Sequence, residues 1–388
     1  MNNIDKVLTR GVETILPSKE DLAKLMTRKK ITLYLGIDPS NPQIHLGNAC
    51  ALRKLRQFQE LGHHVILLIG DFTGMIGDPT DKTSTRKKLT RKQILENAKT
   101  YKEQAAKILN FDDPNPAEIK FNSQWLGKLS SQDWIELASL FTAQQLEERD
   151  MFIRRKKEGK PIYLHEFLYP VMQGYDSVAM NIDLEVGGTD QTFNMLVGRQ
   201  LMKTFKNKEK FVLTVSLLTG TDGQKMGKTR GNFIAITEPP SEMFGKIMSL
   251  KDELIKQYFE LATDINLKSI DFKKNPMELK KQLAFEIVKI YHSQEAAQKA
   301  QSQFEYITHQ KGTTPASIPT VTIQPGTTIQ DFLIGKGYTT SMSGAKEMIT
   351  SGAIDINNVP VTDRKTILGN DQVVKIGKKK IVRVRTAK

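Results

Sequence analysis

Residues 31–71 read ITLYLGIDPSNPQIHLGNACALRKLRQFQELGHHVILLIGD, and the fold is decided there. ITLYLGI (31–37) is an apolar run of strand length, rich in β-branched and aromatic residues, and HHVILLIGD (63–71) is a second. Between them, GNACALRKLRQFQELG places apolar residues at 49, 52, 55 and 58, the spacing of one helix face. The rhythm returns downstream, where the helix-like TDQTFNMLVGRQLMKTF precedes the buried-strand candidate FVLTVSLL (211–218). Strands alternating with helices predict an α/β fold built on a doubly wound parallel sheet. Such sheets bind ligands beyond the C-terminal ends of their strands. The loops at 36–48, 70–86, 187–191 and 219–232, all rich in glycine and polar residues, are therefore expected to converge.

Composition narrows the class. A chain of 388 residues is too long for one core and predicts two or three domains. The longest β-like apolar run, VILLIG at 65–70, is too short to span a bilayer, and the acidic, apolar-poor start lacks a signal-peptide core. A cytoplasmic protein is expected. Cys50 is the only cysteine, which excludes intrachain disulfides and multi-cysteine zinc sites, and its apolar helix start reads as a packed thiol. His63-His64 has no ligand partners at metal spacing and reads as structural, so no metal site is expected.

The net charge of +14 points to a polyanion, either nucleic acid or a membrane surface. It is concentrated in KIGKKKIVRVRTAK from Lys375 onward, where KIVRVR alternates as a half-buried strand with one packed face and one facing an anion. Upstream, TIQDFLIGKGYTTSMSGAKEMITSGAIDINNVPVTD reads as helix, turn, helix and a hairpin through Asn357-Asn358. The Thr-, Pro-, Gly- and Ser-rich stretch before this module reads as a linker.

Three segments carry chemistry. His45-Leu46-Gly47-Asn48 stands where a strand gives way to a helix, either a phosphate site at the helix N-terminus or an ordinary capped loop. TGTDGQKMGKTRGN (219–232) fails as a P-loop, because Asp222 stands where the first glycine must be. It remains a Gly-rich loop whose Lys225 and Lys228 either close over a polyphosphate or face solvent. HEFLYPVMQGYDSVAM (165–180) puts Tyr169, Gln173 and Asp176 on one helix face without long charged chains. A phenol, an amide and a carboxylate suit a small ligand bearing an ammonium or hydroxyl group.

Taken in order, YLGIDPSNPQIHLGN, GDPTDKTSTR, YPVMQGYD, GGTDQ and KMGKT, followed by the basic module, resemble the bacterial-type tyrosyl-tRNA synthetases over nearly the whole chain. The resemblance implies a Rossmann-like class I catalytic domain at 1–235 with a dimer-interface insertion at about 118–165, including the candidate interface segment 130–146. A helical domain facing the anticodon stem would follow at 236–310, a linker at 311–326 and an S4-like RNA-binding domain at 327–388. Expected ligands are L-tyrosine, ATP with Mg2+ and tRNA(Tyr), handled by a homodimer with no membrane partner.

The resemblance also implies roles. His45, with Gly47 and Asn48 at the helix start, would meet the phosphates. Lys225 and Lys228 would clamp the departing pyrophosphate, assisted by Lys82 and Arg86. Tyr34 and Asp176 would read the phenolic hydroxyl, and Tyr169, Gln173 and Asp78 the α-ammonium group. Gly36, Asp38, Gly188, Asp190 and Gln191 would surround the adenylate and its ribose, with Lys228 nearby. The pattern departs from the family at Asn48, usually a second histidine, at Gly227, usually serine, and at Thr192-Phe193, often Trp-Gly. Tryptophanyl-tRNA synthetases share the fold, but Tyr34 with Asp176 and the basic tail favour tyrosine. A synthetase-like RNA-binding protein without adenylation would keep the tail and lose the pocket groups, which are present here.

Overall fold

A computed structural model describes residues 3–79, 89–227, 231–309, 318–357, 359–377 and 380–387. The chain forms two compact units. The first runs to Thr237 and takes in Lys251–Phe272, and the second holds Glu238–Leu250 and the residues from Lys273 onward. The helical domain expected at 236–310 is thereby shared between the two.

Six strands make the sheet of the first unit: β1 (Val12–Leu16), β2 (Thr32–Ile37), β3 (His64–Ile69), β4 (Glu118–Phe121), β5 (Leu184–Gly188) and β6 (Phe211–Val215). Their order is β1-β6-β5-β2-β3-β4. The strands from β2 to β6 are parallel, winding outward from β2 in both directions, as expected of a doubly wound sheet. The central strands are apolar runs because helices cover both faces: Leu33, Tyr34, Leu67, Leu184, Val212 and Leu213 are all buried. Two edge strands go beyond the sequence reading. β1 pairs antiparallel with β6, and β4 lies within the stretch expected to be an insertion from about 118. Both are short and half-exposed and carry glutamate, so neither shows the apolar run that marks β2 and β3.

β2 stays paired with β3 from Thr32↔His64 to Ile37↔Ile69, yet it pairs with β5 only at Leu33↔Leu184 and Tyr34↔Glu185. Past Tyr34 these two strands part. This is the switch point of the sheet, and the gap is where a ligand fits.

Three helices border that gap. Leu46–Glu60 buries Ala49, Leu52, Leu55 and Phe58, the face read from the sequence, and Leu46 beside them. Leu164–Met180 and Thr192–Lys206 cross closely at Gly174, where a Cβ would lie 2.9 Å from Val197 and Leu201 and 3.1 Å from the Gly198 nitrogen. Lys251–Phe272 contributes the helix Ile255–Ala262, whose C-terminal end Arg10 closes. Its guanidinium donates to the carbonyls of Phe259, Glu260, Thr263 and Ile265 at 2.8–3.0 Å.

In the second unit, helices Pro240–Met248, Pro276–Tyr291 and Gln294–His309 pack together, with Phe244 and Phe304 in ring contact at 5.5 Å. A second sheet follows, made of β7 (Thr320–Ile323), β8 (Ile354–Ile356), β9 (Val359–Pro360), β10 (Val373–Ile376) and β11 (Lys380–Thr386), in the order β7-β11-β10-β8-β9. Helices Ile329–Gly335 and Met342–Thr350 supply Phe332, Leu333 and Ile349 to a core shared with Val374, Val382 and Val384. The linker expected at 311–326 ends early, because Thr320–Ile323 pairs parallel with β11. The anion-facing side expected of KIVRVR is also partly a packing face. Ile381 clusters with Tyr306, Ile318 and Val373, and Arg383 pairs with Asp371 at 2.9 Å.

Candidate active site

The parting of β2 from β5 opens a cavity of about 290 Å³. Tyr34, Gly36 and Asp38 enter it from β2 and the loop beyond, and His45, Gly47 and Asn48 from the first turn of Leu46–Glu60. Asp78, then Tyr169, Gln173 and Asp176 from one face of Leu164–Met180, then Gly188 at the end of β5 with Asp190 and Gln191 beyond it, complete the wall with Lys225. Every expected site residue within the described part of the chain lines this one cavity. Lys82, Arg86 and Lys228 lie outside the described residues.

Asp176 is 2% exposed and accepts from Trp125 Nε1 at 2.7 Å and from Asn122 Nδ2 at 3.3 Å. Burial pushes its pKa well above the usual carboxylate range, and these two donors pull against that rise. Tyr34 is fully buried, with its hydroxyl 3.1 Å from Ser177 Oγ, and burial raises its pKa too. Asn122 and Trp125 are hydrogen-bond partners of this cavity carboxylate that sequence reading missed. Both follow β4, the edge strand it also missed.

A second polar chain runs along the wall. Gln173 Nε2 donates to Glu185 Oε1 at 3.0 Å, while Asn194 Nδ2 donates to Gln173 Oε1 at 3.0 Å and to Gln191 Oε1 at 2.9 Å. Gln191 in turn donates to Asp78 at 2.7 Å, and Arg149 stands 3.5 Å from the other Asp78 oxygen. Tyr169 donates to Asp38 at 2.8 Å, as does Thr73 at 2.7 Å. Glu185, Asn194, Arg149 and Thr73 were also missed. Only Glu185 left a signal, a lone charge within an apolar strand.

His45 is the N-cap of its helix. Its Nδ1 accepts from the Asn48 backbone N–H at 3.3 Å, and the Asn48 side chain accepts from the His45 N–H at 3.4 Å, a capping box. Asn48 thus works on the helix start. Since Nδ1 accepts, a neutral His45 carries its proton on Nε2 and can donate it to an anion. Burial lowers the His45 pKa to about 4, so the ring is neutral at pH 7. His63, whose Nδ1 accepts from Ile31 N–H at 3.3 Å, is lowered to about 4 by the same cause.

Both folded values lie below the unfolded value of about 6.5, so the associated stability is present above pH 6.5 and is lost as pH falls through 4. The expected result is that the ring C–H resonances of His45 and His63, assigned by substitution, titrate near 4. Midpoints near 6.5 would contradict the burial.

The lysine loop is a built hairpin. Thr219 bridges Lys225, Gly220 N–H donates to Gln224 O at 2.7 Å, and Gly223 adopts φ +83°. Tyr258 donates to Thr219 O at 2.7 Å, fixing its base. Asn232, 4% exposed, donates to Asp222 Oδ1 at 2.7 Å and accepts from Gly227 N–H at 2.9 Å. From this frame Lys225 reaches Asp190 at 2.8 Å.

A doubly wound sheet with its cavity at the switch point, an imidazole-capped helix on one side and a lysine hairpin on the other agrees with what comparison finds. Residues 26–308 match the model of the class I tRNA synthetases (W and Y), and residues 311–384 match the SYY-like C-terminal domain of tyrosine–tRNA ligases. The chain belongs to this class I synthetase family. Within it, the chain is 44% identical to the tyrosine–tRNA ligase of Thermotoga maritima, over 98% of this chain and 96% of that one. It is 46% identical to tyrosine–tRNA ligase 2 of Vibrio cholerae, over 97% of each. Among solved structures, the C-terminally truncated mitochondrial tyrosyl-tRNA synthetase of Aspergillus nidulans superposes with a TM-score of 0.67. It covers 79% of this chain and 94% of its own at 20% identity, a likeness of fold.

Proposed function

We propose that this chain is a tyrosine–tRNA ligase: it joins L-tyrosine to ATP as tyrosyl-adenylate, releasing pyrophosphate, and passes the tyrosyl group to the 3′ end of tRNA(Tyr). The observation that carries this reading is Asp176, a buried carboxylate held by two donors at the cavity wall near Tyr34. A phenolic hydroxyl has a hydrogen to donate to these acceptors, whereas phenylalanine supplies none in a dry pocket.

In this reading the tyrosine carboxylate attacks the α-phosphorus and the bond to pyrophosphate breaks, so no protein nucleophile is needed. The work is positioning and stabilisation of phosphate charge. Tyr169, Gln173 and Asp78 surround the α-ammonium group, and Gly36, Asp38, Gly188, Asp190 and Gln191 the adenosine and its ribose. His45 donates from Nε2 at the helix start, with Gly47 and Asn48 beside it. Lys225, released from Asp190, joins Lys228 on the pyrophosphate, with Lys82 and Arg86 assisting. Mg2+ enters with ATP as part of the substrate. Among the described residues no group of three or more His, Cys, Asp or Glu could hold a metal ion, and no helix is long and apolar enough to cross a membrane.

Tyrosine-dependent exchange of pyrophosphate into ATP tests the reading, and faster exchange with tryptophan would overturn it. Removing residues 311–388 is expected to spare exchange but weaken tRNA charging, with the salt dependence of intact-chain binding lost as its basic contacts disappear. Loss of exchange on truncation would deny the second sheet its separate role. A homodimer belongs to the same reading, with residues 130–146 as its candidate interface segment.

A further inference from the structure

β5 carries a charge where its neighbours are apolar. Glu185 is 2% exposed and Lys210, just before β6, is fully buried. The two form an ion pair, and Lys210 also donates to Met195 O at 3.0 Å. Apolar residues of similar volume usually serve stability as well as a buried ion pair does, so packing alone does not explain it.

Geometry supplies a reason. Glu185 lines the cavity at the point where β2 and β5 part. Its Oε1 accepts from Gln173 Nε2 at 3.0 Å, and its Oε2 accepts from Ser177 Oγ at 3.5 Å as well as from Lys210. Ser177 Oγ lies 3.1 Å from the Tyr34 hydroxyl. One carboxylate therefore reaches Gln173, at the ammonium end of the amino acid in the reading above, and Tyr34, at the phenol end.

The hydrogen-bond senses follow from what each group can do. A carboxylate only accepts and an ammonium only donates. Facing an ionised Glu185, Gln173 must present its NH2 group and turn its oxygen to Asn194, which donates to it at 3.0 Å. Ser177 must point its hydrogen at Glu185, so its oxygen is left to receive the Tyr34 proton. The fold leaves space for the pair. A Cβ on Gly198 would sit 2.5 Å from Lys210 Nζ and 3.0 Å from Ser177 Oγ.

We propose that the buried Glu185–Lys210 pair is a positioning and specificity device, fixing the donor and acceptor sense of Gln173 and Tyr34 from beneath the amino-acid pocket. This rests on the tyrosine reading of the site. Glu185 and Lys210 are positioning residues that act through Gln173, Ser177 and Tyr34.

The test is the double variant Glu185→Gln/Lys210→Met, which removes both charges and nearly conserves volume. In pyrophosphate exchange, KM for tyrosine is expected to rise roughly ten- to thirtyfold and discrimination against phenylalanine to fall roughly tenfold. KM for ATP is expected to stay within about twofold, because no partner of the pair belongs to the phosphate end. Unchanged tyrosine KM, or equal rises in both KM values, would overturn the proposal in favour of a purely structural pair. Should the double variant fail to fold, Ser177→Ala decides, since it cuts only the link to Tyr34. Weakened discrimination with unchanged KM for ATP supports the device, and unchanged discrimination overturns it. Absence of tyrosine-dependent exchange in the unaltered chain overturns the functional reading itself and this assignment with it.

Discussion

Asp176→Asn is expected to lower kcat/KM for tyrosine by about 10²- to 10³-fold, with far less effect on residual activity toward phenylalanine. The asparagine fits the space, but one of its terminal atoms becomes an NH2 group. Trp125 Nε1 and Asn122 Nδ2 donate to the two different oxygens of Asp176, so either orientation of the amide sets a donor against a donor. The second oxygen acceptor open to the substrate phenol disappears as well. A lost hydrogen bond and a buried unpaired donor together cost about 3–4 kcal/mol, which sets the expected range. Tyrosine-dependent exchange beside a thermal melt separates loss of recognition from loss of fold. A folded variant within tenfold of the unaltered kcat/KM would remove Asp176 from phenol recognition.

His45→Asn should slow adenylate formation by about 10²-fold while leaving tyrosine affinity within twofold, since one preorganised donor to a developing phosphate charge is worth about 3 kcal/mol. Asparagine is a good N-cap and can accept from the Asn48 N–H as the imidazole does, so the helix start survives. What goes is the reach of Nε2. Because His45 is neutral at pH 7, the loss should be flat from pH 6 to 8, with no histidine titration distinguishing the variant from the parent. Stopped-flow measurement of adenylate formation, beside equilibrium tyrosine binding, checks both claims. An equal drop in tyrosine affinity would make His45 a structural cap.

How much of this was legible in the sequence follows from burial. The parallel strands β2, β3, β5 and β6 are covered on both faces, so their apolar runs stand out. β1 and β4, with VETIL and EIKF, are half-exposed edges whose glutamates obscure the pattern. Residues that line the cavity come from strand ends, loops, a helix start and one helix face with distinctive local sequences, and the family resemblance could attach roles to them. Residues that hold those side chains are another matter. Trp125 and Asn122 meet Asp176 across some fifty positions of chain, and only the sheet brings them together. Lys210, in KNKEKFVL, looks like one more solvated lysine until β6 carries it inside. Glu185 alone was exposed to inspection, as a charge that no buried strand should carry without a partner.

Asn232 gives the lysine hairpin an energetic character of its own. One amide group ties together Asp222, the Lys225 carbonyl and the Gly227 N–H, and Gly220 lacks a side chain because a Cβ would come within 2.4 Å of that amide. Up to Gly227, then, the loop loses its conformational entropy when the protein folds, before any nucleotide arrives. Under the proposed role of Lys225, a polyphosphate has only to draw that side chain from Asp190, which leaves more of the binding energy for the reaction itself.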